Sequence, residues 1–237
     1  MPPVKQNKER PLITDVNPKS PISESYRTLR TNIEFSAIDE SIQVIMCTSA
    51  GPSEGKSTTG TNLAIVNAQA DRKTLIVDCD LRKPTMHHTF GLSNRQGVTT
   101  VLSGQADWRN LIQPTRIKNL YLLPAGPIPP NPSEILGSKR MTQLLSELRT
   151  EFQSIIVDAP PALAVTDAQI IATKVDGTVL VVDSGKVKRD AIIKVKSNLE
   201  HVNGRILGVV INNVERTSDE YYYYYYYGHE DSKNSSN

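Results

Sequence analysis

A lysine and a serine closing a glycine-bearing loop, and three aspartates each at the end of an apolar run, carry the most chemistry in this sequence. The loop is Ala50-Gly51-Pro52-Ser53-Glu54-Gly55-Lys56-Ser57-Thr58. It follows an apolar stretch and opens a helical one, the setting in which backbone N–H groups and a helix N-terminus cradle phosphates. In that arrangement Gly51, Ser53, Glu54, Gly55 and Thr58 shape the cradle, Lys56 neutralises the β and γ oxygens, and the Ser57 hydroxyl ligates Mg²⁺. Alanine stands at the first position, where glycine is commonest. The loop predicts a nucleotide, ATP with Mg²⁺, as the ligand.

The acids complete that site. Leu75-Ile76-Val77-Asp78-Cys79-Asp80 ends in Asp-x-Asp, and residues two apart on an extended strand point the same way. Ile155-Ile156-Val157-Asp158 ends likewise and supplies a third acid able to hold Mg²⁺ through water. At the carboxyl ends of parallel strands these acids converge on the crevice where the phosphate loop also lies. Simple hydrolysis seldom needs all three, whereas transfer of the γ-phosphate to an acceptor hydroxyl requires a group to manage the hydroxyl proton. The plainer alternative is that Asp78 and Asp80 only cap a strand end beside Arg82 and Lys83. His87 and His88 follow at once in sequence and are assigned no role.

Positioning such a site calls for an α/β framework. Val44 to Cys47, Leu75 to Val77, Leu120 to Leu123, Ile155 to Val157, Val179 to Val182 and Ile206 to Ile211 are short, unbroken apolar runs, as expected of strands covered on both faces. Between them Met141, Leu144, Leu145 and Leu148, and later Ile192, Val195, Leu199 and Val202, recur at helical spacing. The pattern predicts a doubly wound, mostly parallel sheet in a single domain, a P-loop NTPase. An earlier helix, about Ser23 to Ala37, places Ile22, Tyr26, Leu29 and Ile33 on one stripe with Glu24, Arg27 and Arg30 beside it. The expected organisation is a flexible arm over 1–20, the catalytic domain over 21–217 and a flexible tail over 218–237.

Bulk properties narrow the partners. With 237 residues, 38% hydrophobic and 22% charged, the chain is long enough for one sizeable core. A formal net charge of +2 gives no reason to expect nucleic-acid binding, although Lys186, Lys188 and Arg189 form a local basic patch. No apolar run reaches the roughly 18 residues needed to span a bilayer, and Met1 to Arg10 lacks a secretory apolar stretch, so the expected location is cytoplasmic. Cys47 and Cys79 lie within apolar runs, match no zinc spacing and read as reduced core residues.

In order and combination these motifs resemble the bacterial tyrosine kinases (BY-kinases), specifically the capsule and exopolysaccharide type whose cytoplasmic kinase is a separate chain. The resemblance spans about Pro21 to Tyr227: Walker A at Ala50 to Ser57, the family's Walker A′ at Leu75 to Arg82, Walker B at Ile155 to Asp158 running on into Ala159-Pro160-Pro161, the stretch Pro129-Pro130-Asn131-Pro132-Ser133-Glu134, and the terminal tyrosines. It implies a MinD/ParA-like branch of the P-loop fold and a catalytic set of Lys56, Asp78, Asp80 and Asp158. Asp78 is implied to help activate the tyrosine hydroxyl, while Ser57, Asp80 and Asp158 serve the metal. A base of ordinary carboxylate pKa is weak against a phenol near 10, so alignment and charge stabilisation are expected to outweigh full proton abstraction. The His-Arg-Asp and Asp-Phe-Gly set of eukaryotic kinases is absent.

The tail and the first helix take their meaning from the same resemblance. Tyr221, Tyr222, Tyr223, Tyr224, Tyr225, Tyr226 and Tyr227 are an aggregation hazard in a solvated tail, and the resemblance makes them autophosphorylation sites. Glu24, Arg27 and Arg30 match a motif implying subunit contacts in a homo-oligomeric ring, octameric in the family, where one copy's tail reaches its neighbour's site. Further implied partners are a transmembrane adaptor that recruits the kinase to the inner face of the cell membrane and activates it, protein substrates such as sugar-nucleotide enzymes, and a cognate phosphotyrosine phosphatase. The rival reading is a ParA/MinD-like ATPase switch. Such switches carry a lysine early in the loop, where this chain has Gly51, and need no tyrosine tail.

Overall fold

The computed structural model describes residues 12–36 and 41–215. In chain order the strands are β1 (Val44–Ser49), β2 (Thr74–Asp78), β3 (Gln113–Pro114), β4 (Leu120–Leu123), β5 (Ser154–Asp158), β6 (Gly177–Asp183) and β7 (Ile206–Asn212). The helices are α1 (Ile13–Val16), α2 (Pro21–Phe35), α3 (Lys56–Gln69), α4 (Met86–Phe90), α5 (Val98–Leu102), α6 (Pro132–Gly137), α7 (Lys139–Glu151), α8 (Asp167–Ala172) and α9 (Arg189–His201). The sheet order is β3-β4-β2-β5-β1-β6-β7. All neighbours are parallel except β3, which pairs antiparallel with β4.

Alternation along each strand sorts its side chains into two apolar layers. Met46, Leu75, Val77, Ile155, Val157 and Leu180 share one layer with Leu144, Leu148, Val195 and Leu199 from α7 and α9. Ile45, Cys47, Ile76, Ile156, Val179 and Val181 share the other with Leu12, Ile33, Leu63 and Ile65 from the N-terminal segment, α2 and α3. Both faces being covered is why the central runs are unbrokenly apolar. From β1 the chain steps through α3 to β2 and beyond, then returns to insert β5 between β2 and β1. It continues through α8 to β6 on β1's other side. The expected doubly wound, mostly parallel sheet is therefore present, and its carboxyl edge brings the ends of β1, β2 and β5 together.

Three details depart from expectation. The folded unit begins before Pro21: Leu12 is only 2% exposed, and Thr14 donates through both its backbone N–H (3.1 Å) and its hydroxyl (2.7 Å) to Asn62 Oδ1 on α3. Gln69 Nε2 returns a bond to the Thr14 carbonyl at 2.8 Å. Leu12 and Thr14 are thus packed on the core, ahead of the expected domain start at Pro21. On α2 Ile22 is half exposed, while Tyr26 and Leu29 pack against the core and Ile33 is buried. Ile22 stands in the first turn, where Ser20 caps the helix by accepting from Ser23 N–H at 3.0 Å, and the burying stripe starts one turn later. The third departure, β3, is a two-residue edge strand ending in proline, which periodicity does not reveal.

Candidate active site

β1 ends at Ser49, and the chain turns through Ala50–Gly55 before α3 begins at Lys56. The turn needs left-handed backbone at two places, Ser53 (φ 64°) and Gly55 (φ 95°). Glycine is required at the second: a Cβ on Gly55 would lie 2.1 Å from Asn212 Nδ2. Asn212, last residue of β7, donates to the Glu54 carbonyl at 3.1 Å and so braces the loop from the sheet. Glu54 folds under the loop, accepting from Gly51 N–H. Burial raises its carboxyl above the ordinary value, against the opposing N–H groups of Gly51 and Ala50.

Lys56 and Ser57 then stand in the first turn of α3, over the carboxyl ends of β2 and β5. The Lys56 ammonium lies 3.1 Å from Asp80 Oδ2, 3.5 Å from Asp158 Oδ2 and 3.1 Å from Ser57 Oγ. Ser57 Oγ donates to Asp158 Oδ2 at 2.8 Å. Burial alone would lower the lysine, but Asp158 and Asp80 outweigh it and hold the ammonium above its usual pKa. One cation, one hydroxyl and two carboxylates are thus gathered at one point. Thr58 follows, half-buried, and its carbonyl accepts from Asn62 Nδ2 at 2.9 Å.

Asp78 belongs to the cluster but sits behind it. It is paired in register with Asp158 and has no exposed surface. Its Oδ1 accepts from Asp80 N–H (3.2 Å), and its Oδ2 from Thr85 N–H (3.2 Å) and Met86 N–H (3.1 Å). Burial first, then the charge of Asp158, push its carboxyl up to about 7. The assumption of an ordinary carboxylate pKa is therefore corrected. For Asp78 to meet an acceptor hydroxyl the turn over residues 79–86 must move; in the arrangement described it orders that turn. Cys47 and Cys79 are free and buried; burial raises the Cys47 thiol to about 12 and Cys79 well above its usual value, which fits inert core residues.

Two groups were not singled out as site residues from sequence. Asp167, at the start of α8 and fully buried, accepts from Arg82 Nε (2.9 Å) and Nη2 (3.0 Å) and from Ser133 Oγ (2.6 Å). It ties the segment after β2 to the Pro129–Glu134 stretch and to the segment after β5. Asn212 is the other, legible only as a polar residue closing the apolar run Ile206 to Ile211.

Of the expected oligomer contacts, Arg27 Nη1 bonds Glu24 Oε2 at 2.7 Å and its Nη2 the Pro18 carbonyl at 2.6 Å. Arg30 turns inward, donating to the Val66 carbonyl in the last turn of α3 at 2.8 Å. The three are not one free outward set, and none joins the acidic cluster. Tyr221–Tyr227 lie outside the described residues.

The donor set bears on a metal. Among the described residues no group of three or more His, Cys, Asp or Glu forms a cage for an ion. Ser57 Oγ with the Asp80 and Asp158 carboxylates is instead a partial set of hard oxygens, which fits Mg²⁺ because that ion takes one or two carboxylates and draws its remaining oxygens from phosphates and water.

Residues 42–207 match the sequence family described as AAA domain. Tyrosine-protein kinase YwqD of Bacillus subtilis is 46% identical over 204 residues, 86% of each chain. The crystal structure of the chimerical protein CapA2B2 aligns with a TM-score of 0.83 at 42% identity, covering 86% of this chain and 90% of that one. The kinase domain of Escherichia coli tyrosine kinase ETK aligns with a TM-score of 0.82 at 33% identity, covering 87% and 83%.

Proposed function

The chain belongs to the bacterial tyrosine-protein kinases, within the AAA-domain P-loop fold, and from that premise we propose that it moves the γ-phosphate of ATP onto tyrosine hydroxyls, those of Tyr221–Tyr227 on a neighbouring copy among them. The observation that carries the reading is the gathering of Lys56, Ser57, Asp80 and Asp158 within 3.5 Å contacts at the loop's mouth, with Asp78 directly behind. A hydrolase has little use for the extra acid pair, whereas an acceptor phenol must be aligned and relieved of a proton.

In this reading the N–H groups of the loop and of the α3 N-terminus hold the phosphates, and Lys56 leaves its carboxylates to meet the β and γ oxygens. Ser57, Asp80 and Asp158 hold Mg²⁺, which supplies charge neutralisation for the phosphoryl oxygens when bound. Asp78, directly behind them, aligns the acceptor hydroxyl and takes its proton once the turn at 79–86 opens a path. A loose transition state makes alignment the larger contribution.

The wider assignment follows the resemblance. The kinase works as a ring contacting through α2, principally Glu24 and Arg27, and is recruited to the inner membrane face by a transmembrane adaptor. Its external substrates are enzymes of exopolysaccharide or capsule synthesis, such as sugar-nucleotide enzymes, and a phosphotyrosine phosphatase reverses its action. No helix among the described residues is long and apolar enough to cross a membrane, so attachment through a partner is in keeping with the fold.

The test is to incubate the chain with ATP and Mg²⁺, with and without the adaptor's cytoplasmic segment, and map phosphorylated residues by mass spectrometry beside Lys56→Met. Phosphate on Tyr221–Tyr227 that disappears in the variant is the expected result. ATP hydrolysis with no phosphotyrosine under either condition would overturn the reading.

A further inference from the structure

The two edges of the sheet are built differently. β3 closes one with two residues, the second a proline, which leaves little backbone for another strand to join. β7 closes the other with seven residues, Ile206–Asn212, none of them charged and none a proline. Its outer N–H and C=O groups meet no strand among the described residues. Val209 and Ile211 lie in register with Leu180 and Val182, so they share the sheet face that α9 covers. α9 stops short of them, and they are 51% and 61% exposed. An uncharged open edge beside an uncovered apolar face is a surface that another strand fits.

The sequence contains a segment of matching length and chemistry. Tyr221–Tyr227 is also seven residues long, uncharged, and made of a residue that favours strands. Rings at alternate positions suit Val209 and Ile211 as aromatic–β-branched cross-strand pairs. Each segment alone is an aggregation hazard, and pairing one with the other removes both. The sense of the pairing follows from the connection. Residues 213–220 alone separate β7 from Tyr221, whereas a parallel crossover takes roughly a dozen residues or more. The return must therefore be antiparallel. Asn213, directly after β7, has the left-handed backbone (φ 55°) of a chain reversal, and its Nδ2 is pinned on Asp183 Oδ1 at 2.9 Å. So short a tether gives the chain's own tract a high local concentration at this edge, which a strand from a second copy lacks.

We propose that unphosphorylated Tyr221–Tyr227 pairs with β7 of its own chain as an eighth, antiparallel strand, which withholds these tyrosines from any active site until the pairing frays. Phosphate at successive positions sets like charges along the strand and releases it. That the tyrosines are acceptors rests on the kinase reading; the pairing does not, and the test separates the two.

Hydrogen exchange of full-length Lys56→Met without ATP reads the pairing alone. Two further variants are made in that chain. Tyr223→Pro with Tyr224→Pro removes two adjacent donors, one of which must face β7. Tyr223→Glu with Tyr224→Glu places a charge on each face. In both, amides of β7 should exchange at least about tenfold faster than in Lys56→Met itself, while those of β1 stay unchanged. Equal exchange of β7 in all three chains would overturn the pairing. So would protection that is lost on dilution, because the strand would then come from a second copy. Chain with Lys56 intact, once phosphorylated on the tract, should exchange like the glutamate variant; a phosphorylated tract with β7 still protected would overturn the release. Protection in Lys56→Met, with no phosphotyrosine formed by the intact chain, would leave the strand standing and overturn the kinase reading instead.

Discussion

Asp78 and Asp158 stand opposite each other in the β2–β5 ladder, and of the two only Asp158 touches the Lys56 ammonium, at 3.5 Å. The pair is therefore asymmetric: one acid faces Lys56 and Ser57 while the other, wholly buried, carries the cost of their proximity. That cost appears as a carboxyl raised to about 7, by burial and then by Asp158. Three backbone N–H groups hold the Asp78 carboxyl in place.

The stability consequence has a definite sign. An unfolded aspartate ionises near 4, whereas folded Asp78 keeps its proton to about 7. Its contribution is full below about pH 4 and declines as pH rises through 7, because over that range the folded state binds the extra proton. Asp78→Asn does not titrate. Its melting temperature relative to the parent should therefore rise between pH 5 and pH 8 in metal-free, nucleotide-free buffer. Parallel curves would mean that Asp78 ionises as it does in the unfolded chain.

Gly55→Ala tests the loop brace. The added methyl meets Asn212 Nδ2 at 2.1 Å, on a backbone at φ 95°. Affinity for a fluorescent ATP analogue should fall at least about tenfold, through the clash and a left-handed cost of roughly 1 kcal/mol. Asn212→Ala alone should cost less, and in combination it should restore part of the loss caused by Gly55→Ala, since the clash is then gone. A double variant that binds as poorly as Gly55→Ala would show that backbone strain, not the asparagine, is responsible.

What the sequence discloses about this fold depends on how local the cause is. Lys56, Ser57, Asp78, Asp80 and Asp158 were legible because the loop's spacing is fixed by phosphate geometry and because an aspartate closing an apolar run must lie at a strand end. Neighbouring strands then bring such ends together. The Arg82–Asp167 pair was not, since its partners are 85 residues apart and neither interrupts a pattern. α1 has four residues, too short for periodicity, so Leu12 and Thr14 read as arm. Arg30 shares a helix with Glu24 and Arg27, yet only the placement of α3 decides that it turns to Val66. The burial of Asp78 likewise depends on the turn through Met86, which sequence leaves open.

Asp176 fixes the strand that leads into the loop. Its Oδ2 accepts from Gln43 N–H, Val44 N–H and Arg149 Nη1, each at 2.8 Å, and its Oδ1 from Arg149 Nη2 at 2.6 Å. Burial would raise the carboxyl, but Arg149 and the two N–H groups outweigh it and hold it below the ordinary value. A lowered pKa gives stability that is present above about pH 4 and lost as pH falls through the folded value. Asp176→Asn should cost about 1–2 kcal/mol at pH 7, allowing for partial exposure. In urea unfolding the gap to the parent should narrow between pH 5 and pH 3; a constant gap would mean that the lost contacts are not those of a carboxylate.

Asp167 ties down the turn that carries Asp80. Fully buried, it receives both Arg82 donors and the Ser133 hydroxyl, and Arg82 lies two residues beyond Asp80, whose carboxylate meets Lys56. Removing the charge should loosen the turn that carries Asp80 without touching the nucleotide. Asp167→Asn is expected to lower kcat for tyrosine phosphorylation about tenfold while the KM for ATP stays within about twofold, the split that marks lost alignment. Arg82→Lys, which cannot form the two-pronged bond, should do much the same, and the double variant should add little because both break one contact. Stability should fall by about 1–2 kcal/mol, less than for a fully buried pair because Arg82 is 38% exposed. Loss of melting temperature with kcat unchanged would reduce the contact to a structural tie.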